Sequence, residues 1–166
     1  MKNNMNWNFD NSYSRLSDAF KEHIEPIAVK NPELVLMNMD LIEELNLDFS
    51  KIDKNELAAL FTGNILPEGS NAIAQAYAGH QFGHFTMLGD GRAVLIGEHL
   101  TKNNERYDIQ FKGSGKTAFS RNGDGRAALG PMLREYIISE AMHHLNIPST
   151  RSLAVAKTGE EIMRET

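Results

Sequence analysis

The chain has 166 residues, 41% of them hydrophobic and 23% charged, which is a globular composition that suits one ordinary domain or part of a larger one. A formal net charge of -5 argues against a nucleic-acid partner, and the absence of cysteine excludes disulfides, thiolate metal sites and a cysteine nucleophile within this sequence. No apolar run approaches the roughly 20 residues of a membrane span, so we expect a soluble, cytoplasmic protein without a membrane partner.

The N-terminal part of the sequence predicts an irregular segment followed by two short helices. Residues Trp7–Ser17 are rich in Asn, Asp and Ser around a few aromatic residues, which is typical of an irregular segment packed on another element. Met39–Leu47 and Lys54–Phe61 carry apolar residues at helical spacing, and Asp53 is placed as the N-cap of the second helix. We assign residues 1–75 to a mostly irregular and helical N-terminal extension.

A pattern of short strands begins near residue 82. Three β-type runs, Phe85–Met87, Ala93–Ile96 and Tyr107–Lys112, are separated by Gly and Asn turns, which predicts a small antiparallel sheet. In the last run the side chains alternate cleanly, so Lys112 points away from the apolar face.

The remaining residues predict a helix and a further pair of strands. A glycine-rich segment, residues 113–130, leads into a helix from about Pro131 to Leu145 with an apolar stripe that includes Ile137 and Ile138. Arg151–Ala156 predicts a strand, and its partner is expected to start at Glu161. For residues 76–166 we therefore predict an α+β fold with the element order of a protein-kinase N-lobe.

The segment Leu88–Arg92 contains a Gly-Asp-Gly sequence between two β-type runs. Gly89 and Gly91 would let backbone N–H groups approach an anion closely, and Arg92 would add a forked cation. An ordinary β-turn without a ligand has the same local pattern, so this motif alone does not identify an anion site.

Lys112 and Glu135 form the second candidate feature. A strand lysine and a helix glutamate are the ion pair that holds a lysine against nucleotide phosphates in kinase-type sites, although two unrelated surface charges fit the pattern as well. Between them, Ser120–Arg126 places glycines and arginines just before a helix. Such a loop can bind phosphate or can be a flexible surface loop.

Two further motifs are incomplete. Gly115-Lys116-Thr117 resembles the end of a Walker P-loop, but that pattern requires a glycine at position 110, where this sequence has Gln110. His80 and His84 have the spacing of a zinc-metalloprotease helix, but a Gln stands where the catalytic Glu belongs and a Gly interrupts the helix. We therefore predict no metal site in this chain.

Taken together, an ordered series of motifs resembles the selenoprotein O (SelO) family and covers nearly the whole chain. The principal motifs are Gly79-His80-Gln81-Phe82-Gly83, Leu88-Gly89-Asp90-Gly91-Arg92-Ala93, Gln110-Phe111-Lys112-Gly113-Ser114-Gly115, Ser120-Arg121, Asp124-Gly125-Arg126-Ala127 and Arg134-Glu135. Shorter matches occur at Phe9–Tyr13, Ser139–Met142, Ile147–Arg151 and Arg164–Thr166. Lys116 departs from the proline that is expected in many relatives.

The resemblance implies a pseudokinase with a protein-kinase-like fold, which binds ATP turned around relative to kinases and transfers AMP to Ser, Thr or Tyr hydroxyls of proteins. Lys112 would contact phosphate, and Glu135 would support it through the ion pair. The nucleotide-binding residues that the resemblance implies are Gly89, Gly91, Arg92, Lys112, Asp124 and Gly125.

The resemblance places the general-base Asp and the ligands of Mg²⁺ or Mn²⁺ after Thr166, so we expect the chain alone to be an inactive part of the enzyme. Two alternatives stay open. One is a conventional kinase-like phosphotransferase, which differs in the phosphate that faces the acceptor. The other is a nonenzymatic module that binds a nucleotide or another protein.

Overall fold

The structure of the protein is a computed structural model that describes residues 5–81 and 83–163. Within these ranges the chain forms two antiparallel sheets and three α-helices. The strands are β1 (Lys21–His23), β2 (Glu33–Met37), β3 (Ile73–Gln81), β4 (His84–Gly89), β5 (Ala93–Leu100), β6 (Arg106–Lys112) and β7 (Ala154–Lys157). The helices are α1 (Met39–Glu44), α2 (Lys54–Thr62) and α3 (Leu129–His144).

The larger sheet confirms the predicted α+β class and its antiparallel strands. Its order is β1-β3-β5-β6, and β4 pairs with the C-terminal part of β3, from Ala76 to Gln81. Along β6, half-buried and exposed residues alternate, so Tyr107, Ile109 and Phe111 face the interior and Lys112 faces outward, as predicted. The register places Lys112 opposite Ala93, directly after the Gly-Asp-Gly turn.

The smaller sheet corrects one prediction. The partner of β7 is β2 in the N-terminal extension, whereas we expected a partner that starts at Glu161. Residues 161–163 form no strand, and Arg164–Thr166 lie outside the described residues. Strand β2 is hard to recognise because a register shift between Leu34 and Leu36 interrupts its alternation. The extension, residues 1–75, thus contributes strands to both sheets in addition to helices.

Both predicted short helices are present, and they pack into one cluster of buried apolar residues. The Asp53 side chain caps α2 by accepting hydrogen bonds from the N–H groups of Asn55 and Glu56, at 2.8 and 2.9 Å. Asn38 caps α1 in the same way through the N–H of Leu41. The buried members of this cluster are Leu41, Ile42, Leu45, Leu47, Phe49, Ile52 and Leu60.

The N-terminal segment packs on the larger sheet, as its aromatic residues predicted. The Trp7 ring stacks on the Phe9 ring with 5.3 Å between centroids. The backbone of Phe9 forms an isolated antiparallel β-bridge with the buried His99 of β5. The neighbouring Glu98 carboxylate is buried and accepts hydrogen bonds from the Ser12 hydroxyl and the Tyr13 N–H. These contacts hold the segment across β5.

Helix α3 begins two residues before the predicted start, at Leu129, and Pro131 lies in its first turn, where no intrahelical partner for its missing N–H is needed. The predicted apolar stripe is exposed: Ile137, Ile138 and Leu145 are 65%, 61% and 68% accessible. The helix packs mainly against the short strand β7, which is too small to cover that stripe.

Candidate functional site

A cleft of about 890 Å³ opens between the turn that follows β4 and the loop that precedes α3. Its size lies in the range of small-molecule sites. All six residues that the resemblance assigned to nucleotide binding line it, although they come from three separate parts of the chain. These residues are Gly89, Gly91, Arg92, Lys112, Asp124 and Gly125.

The Gly-Asp-Gly turn needs its glycines because another part of the chain passes close to it. A Cβ atom on Gly89 would lie 2.3 Å from the ring of Phe119, and one on Gly91 would lie 2.8 Å from the Phe119 carbonyl oxygen. The Arg92 side chain is exposed and has no hydrogen-bond partner among the described residues, so its guanidinium is available to an anion in the cleft.

Asp90, between the two glycines, is a buried residue whose contacts the sequence did not predict. Its carboxylate accepts hydrogen bonds from the Gln75 N–H at 3.1 Å and from the Gln110 side chain at 3.4 Å. Burial raises the pKa of Asp90, and the Gln75 hydrogen bond offsets part of that effect. The carboxylate therefore anchors the turn to β3 and β6.

Lys112 lies at the border of the cleft and forms the predicted ion pair. Its Nζ is 2.6 Å from Oε1 and 2.7 Å from Oε2 of Glu135 on α3. Both side chains are partly accessible, 38% and 49%, so a phosphate group can reach the ammonium. Lys116 is exposed and does not line the cleft.

The loop before α3 forms the opposite wall. Gly125 has a φ of +67°, and its carbonyl accepts a hydrogen bond of 3.2 Å from the Gly115 N–H. The Asp124 carboxylate accepts one of 2.8 Å from the Arg126 N–H. The Arg126 guanidinium lies 3.0 Å from the Glu160 carboxylate, so one of the two arginines that the sequence offered for phosphate is engaged in an ion pair.

His80 and His84 lie on the hairpin of β3 and β4 and not on a helix. His80 pairs with Phe85 and His84 pairs with Gln81, so the two imidazoles project from opposite faces of the hairpin. Phe82, which belongs to the same motif, lies outside the described residues.

Because the two imidazoles lie on opposite faces of the hairpin, we expect metal analysis of the purified chain to find no stoichiometric zinc. One zinc per chain that is lost on His84→Ala would contradict this.

Over residues 5–81 and 83–163 there is no cluster of three or more His, Asp or Glu side chains placed to hold a metal ion. Within the same residues, no helix combines the length and the apolar character that crossing a membrane requires. What the described part of the cleft offers an anion is two cationic side chains, the exposed guanidinium of Arg92 and the partly accessible ammonium of Lys112.

The chain matches a family model and several longer relatives. The family model, described as "Protein adenylyltransferase SelO", matches residues 3–166. The chain is similar to the protein nucleotidyltransferase YdiU of Pelagibacter ubique, with 74% identity over 96% of the chain and 33% of the relative. Proteins of the same name from Nitrosococcus oceani and Anoxybacillus flavithermus are 64% and 63% identical, over 96% and 98% of the chain and 32% and 34% of their own length. The chain thus spans about a third of the length of these relatives.

Proposed function

The chain belongs to the family of the protein adenylyltransferase SelO, and from this we propose that it forms the nucleotide-binding part of an enzyme that transfers AMP from ATP to hydroxyl side chains of proteins. One observation carries the proposal. Six residues from three parts of the chain, which the resemblance to the SelO family assigns to nucleotide binding, line a single cleft beside the Lys112–Glu135 ion pair.

In the proposed reaction an acceptor hydroxyl oxygen attacks the α-phosphorus of ATP and gives its proton to a general base. The bond from that phosphorus to the β-phosphate oxygen breaks, and pyrophosphate leaves. Lys112 and Arg92 would face the phosphates and offset their charge, and the lack of side chains on Gly89 and Gly91 would let the phosphates approach the turn closely. Glu135 would hold the Lys112 ammonium in place. We also propose that the acceptors are proteins and that the enzyme is cytoplasmic.

Within residues 5–81 and 83–163 no three ligand side chains cluster to hold a metal ion, and no step of the proposal uses one from these residues. We propose that Mg²⁺ or Mn²⁺ and the general base are held by another part of the protein, with the described residues as a kinase-like N-lobe. The order of β4, β5, β6, α3 and β7 supports the N-lobe assignment.

The decisive experiment needs a protein of full length. We therefore define a full-length chimera, in which this chain replaces the matching third of the Pelagibacter ubique relative, to which it is 74% identical. The full-length chimera is incubated with a protein acceptor and with ATP labelled at either the α- or the γ-phosphate. We expect the α-label on protein, because only AMP transfer leaves it there. The γ-label on protein would indicate a conventional phosphotransferase, and ATP binding without either label a nonenzymatic module.

The chain alone is expected to transfer no label. Transfer needs a divalent metal that offsets the phosphate charge, a general base and a positioned acceptor, and the resemblance places the metal ligands and the base after Thr166. The purified chain is assayed with α-labelled ATP, with magnesium and manganese in turn, beside its Lys112→Ala variant. Transfer clearly above that variant would show that the chain holds its own base and metal site.

A further inference from the structure

We propose that Thr117 and Ser120 are positioning residues, which hold the Gly-Asp-Gly turn and the loop before α3, the two walls of the cleft, at a fixed spacing. This inference rests on the proposed function and extends it to residues that do not belong to the six assigned to nucleotide contact. Both residues are buried, with accessibilities of 6% and 9%, and Ser120 also lines the cleft.

Two hydroxyl groups connect the loop to the turn through main-chain atoms. The Thr117 hydroxyl donates to the carbonyl oxygen of Asp90, and the Ser120 hydroxyl donates to that of Gly91. The two carbonyls are adjacent in the turn, so both of its central peptide groups are held by the same short stretch of loop. A buried carbonyl that loses such a donor keeps its desolvation cost, which gives these two bonds a larger effect than exposed ones.

The same two residues also bind each other. The Thr117 N–H donates to the Ser120 hydroxyl at 2.8 Å, and the Ser120 N–H donates to the Thr117 carbonyl at 3.1 Å. Each hydroxyl therefore accepts a bond from the loop while it donates to the turn, since the Phe119 N–H donates to the Thr117 hydroxyl at 3.2 Å. Because each hydroxyl group both donates and accepts a hydrogen bond, its orientation is fixed, and such networks rigidify the segments that they join.

Packing reinforces the hydrogen bonds. The Phe119 ring lies against Gly89 so closely that any side chain there would overlap it. On the other side of the loop, the Ala118 N–H donates to the Glu22 carboxylate of β1 at 2.8 Å. The loop is thus held between the sheet and the turn, and it continues through the hydrogen bond from the Gly123 N–H to the Ser120 carbonyl, at 2.8 Å, to the wall at Asp124 and Gly125.

The functional consequence concerns nucleotide affinity. The turn and the loop form opposite walls of the cleft, and a phosphate held by both loses contacts if they move apart. Removing the Thr117 hydroxyl frees the Asp90 carbonyl without touching any of the six assigned residues. A preorganised wall lowers the cost of binding, so its loss is expected mainly in the KM for ATP.

The test compares Thr117→Val with Thr101→Val in the full-length chimera. Thr101 is a matched control because it is equally buried, at 3% accessibility, and its hydroxyl accepts two backbone hydrogen bonds in the turn between β5 and β6. We expect Thr117→Val to raise the KM for ATP about 10-fold with kcat within about threefold, as expected for one buried hydrogen bond. Thr117→Ser, which keeps the hydroxyl, should restore the KM, and Thr101→Val should leave it unchanged.

Hydrogen exchange on the purified chain without nucleotide gives a readout that does not depend on catalysis. Thr117→Val should accelerate amide exchange in both residues 89–92 and residues 117–123, whereas Thr101→Val should accelerate neither. Faster exchange in the loop alone, an unchanged KM, or a fall in kcat at constant KM would overturn the inference. Absence of the α-label with the unsubstituted full-length chimera would instead contradict the proposed function, and the exchange result would still decide the coupling.

Discussion

Lys112→Ala is expected to lower the rate of AMP transfer by the full-length chimera about 1,000-fold, the upper range for removing one preorganised group that stabilises charge in the transition state. The side chain brings an ammonium to the cleft, and the register sets Lys112 opposite Ala93, two residues after Gly91. The measurement is the initial rate of α-label transfer to a protein acceptor. The same substitution should leave the fold intact, since an ion pair that is partly accessible contributes about 1 kcal/mol or less to stability.

Lys116→Ala is the matched control for this experiment. Lys116 is an exposed lysine four residues further on that does not line the cleft, so its loss should change the rate less than about twofold. Glu135→Gln provides an intermediate case, because it removes the negative charge that orients the Lys112 ammonium but keeps a hydrogen-bonding group. Loss of activity with Lys116→Ala and not with Lys112→Ala would support the P-loop interpretation and reject the assignment of phosphate contact to Lys112.

Gly125→Ala is expected to have the second-largest effect, about a 100-fold loss of transfer, because it displaces a wall of the cleft by more than bound phosphate tolerates. A Cβ atom at this position would lie 1.9 Å from the carbonyl oxygen of Gly115 and 2.5 Å from the backbone nitrogen of Lys116. Both atoms belong to the main chain, so no side-chain rotation relieves the overlap. The φ of +67° adds the strain of a left-handed conformation for a residue with a Cβ.

This substitution should also destabilise the chain itself by about 2 kcal/mol, which for a chain of this length lowers the melting temperature by about 4–8 °C. Gly130→Ala is the matched control, because a Cβ there meets no atom within 4 Å and Gly130 lies in the first turn of α3, outside the cleft. It should melt at or above the temperature of the unsubstituted chain. A Gly125→Ala variant with normal activity and stability would show that the loop readily adopts another conformation.

Elements with local signals could be predicted from the amino-acid sequence. Helical spacing and the Asp53 cap predicted α2, and strict alternation predicted both β6 and the outward direction of Lys112, because these features depend on residues a few positions apart. The Gly-Asp-Gly turn and the Lys112–Glu135 pair were recognisable as motifs. Their assigned role in nucleotide binding stays a prediction that the substitutions above test.

Other features depend on distant residues and arise only in the folded chain. The pairing of β2 with β7 joins segments more than a hundred positions apart, and no local pattern encodes which strand meets which. The exposed stripe of α3 follows from what packs beside the helix, not from its own period. The sequence shows Thr117 only as the end of an incomplete P-loop pattern and Ser120 only as the start of a candidate phosphate loop. Folding alone brings their hydroxyl groups to the carbonyls of Asp90 and Gly91. Hydrogen bonds between side chains and distant main-chain atoms leave no periodic signal, because their partners are set by the fold of the whole chain.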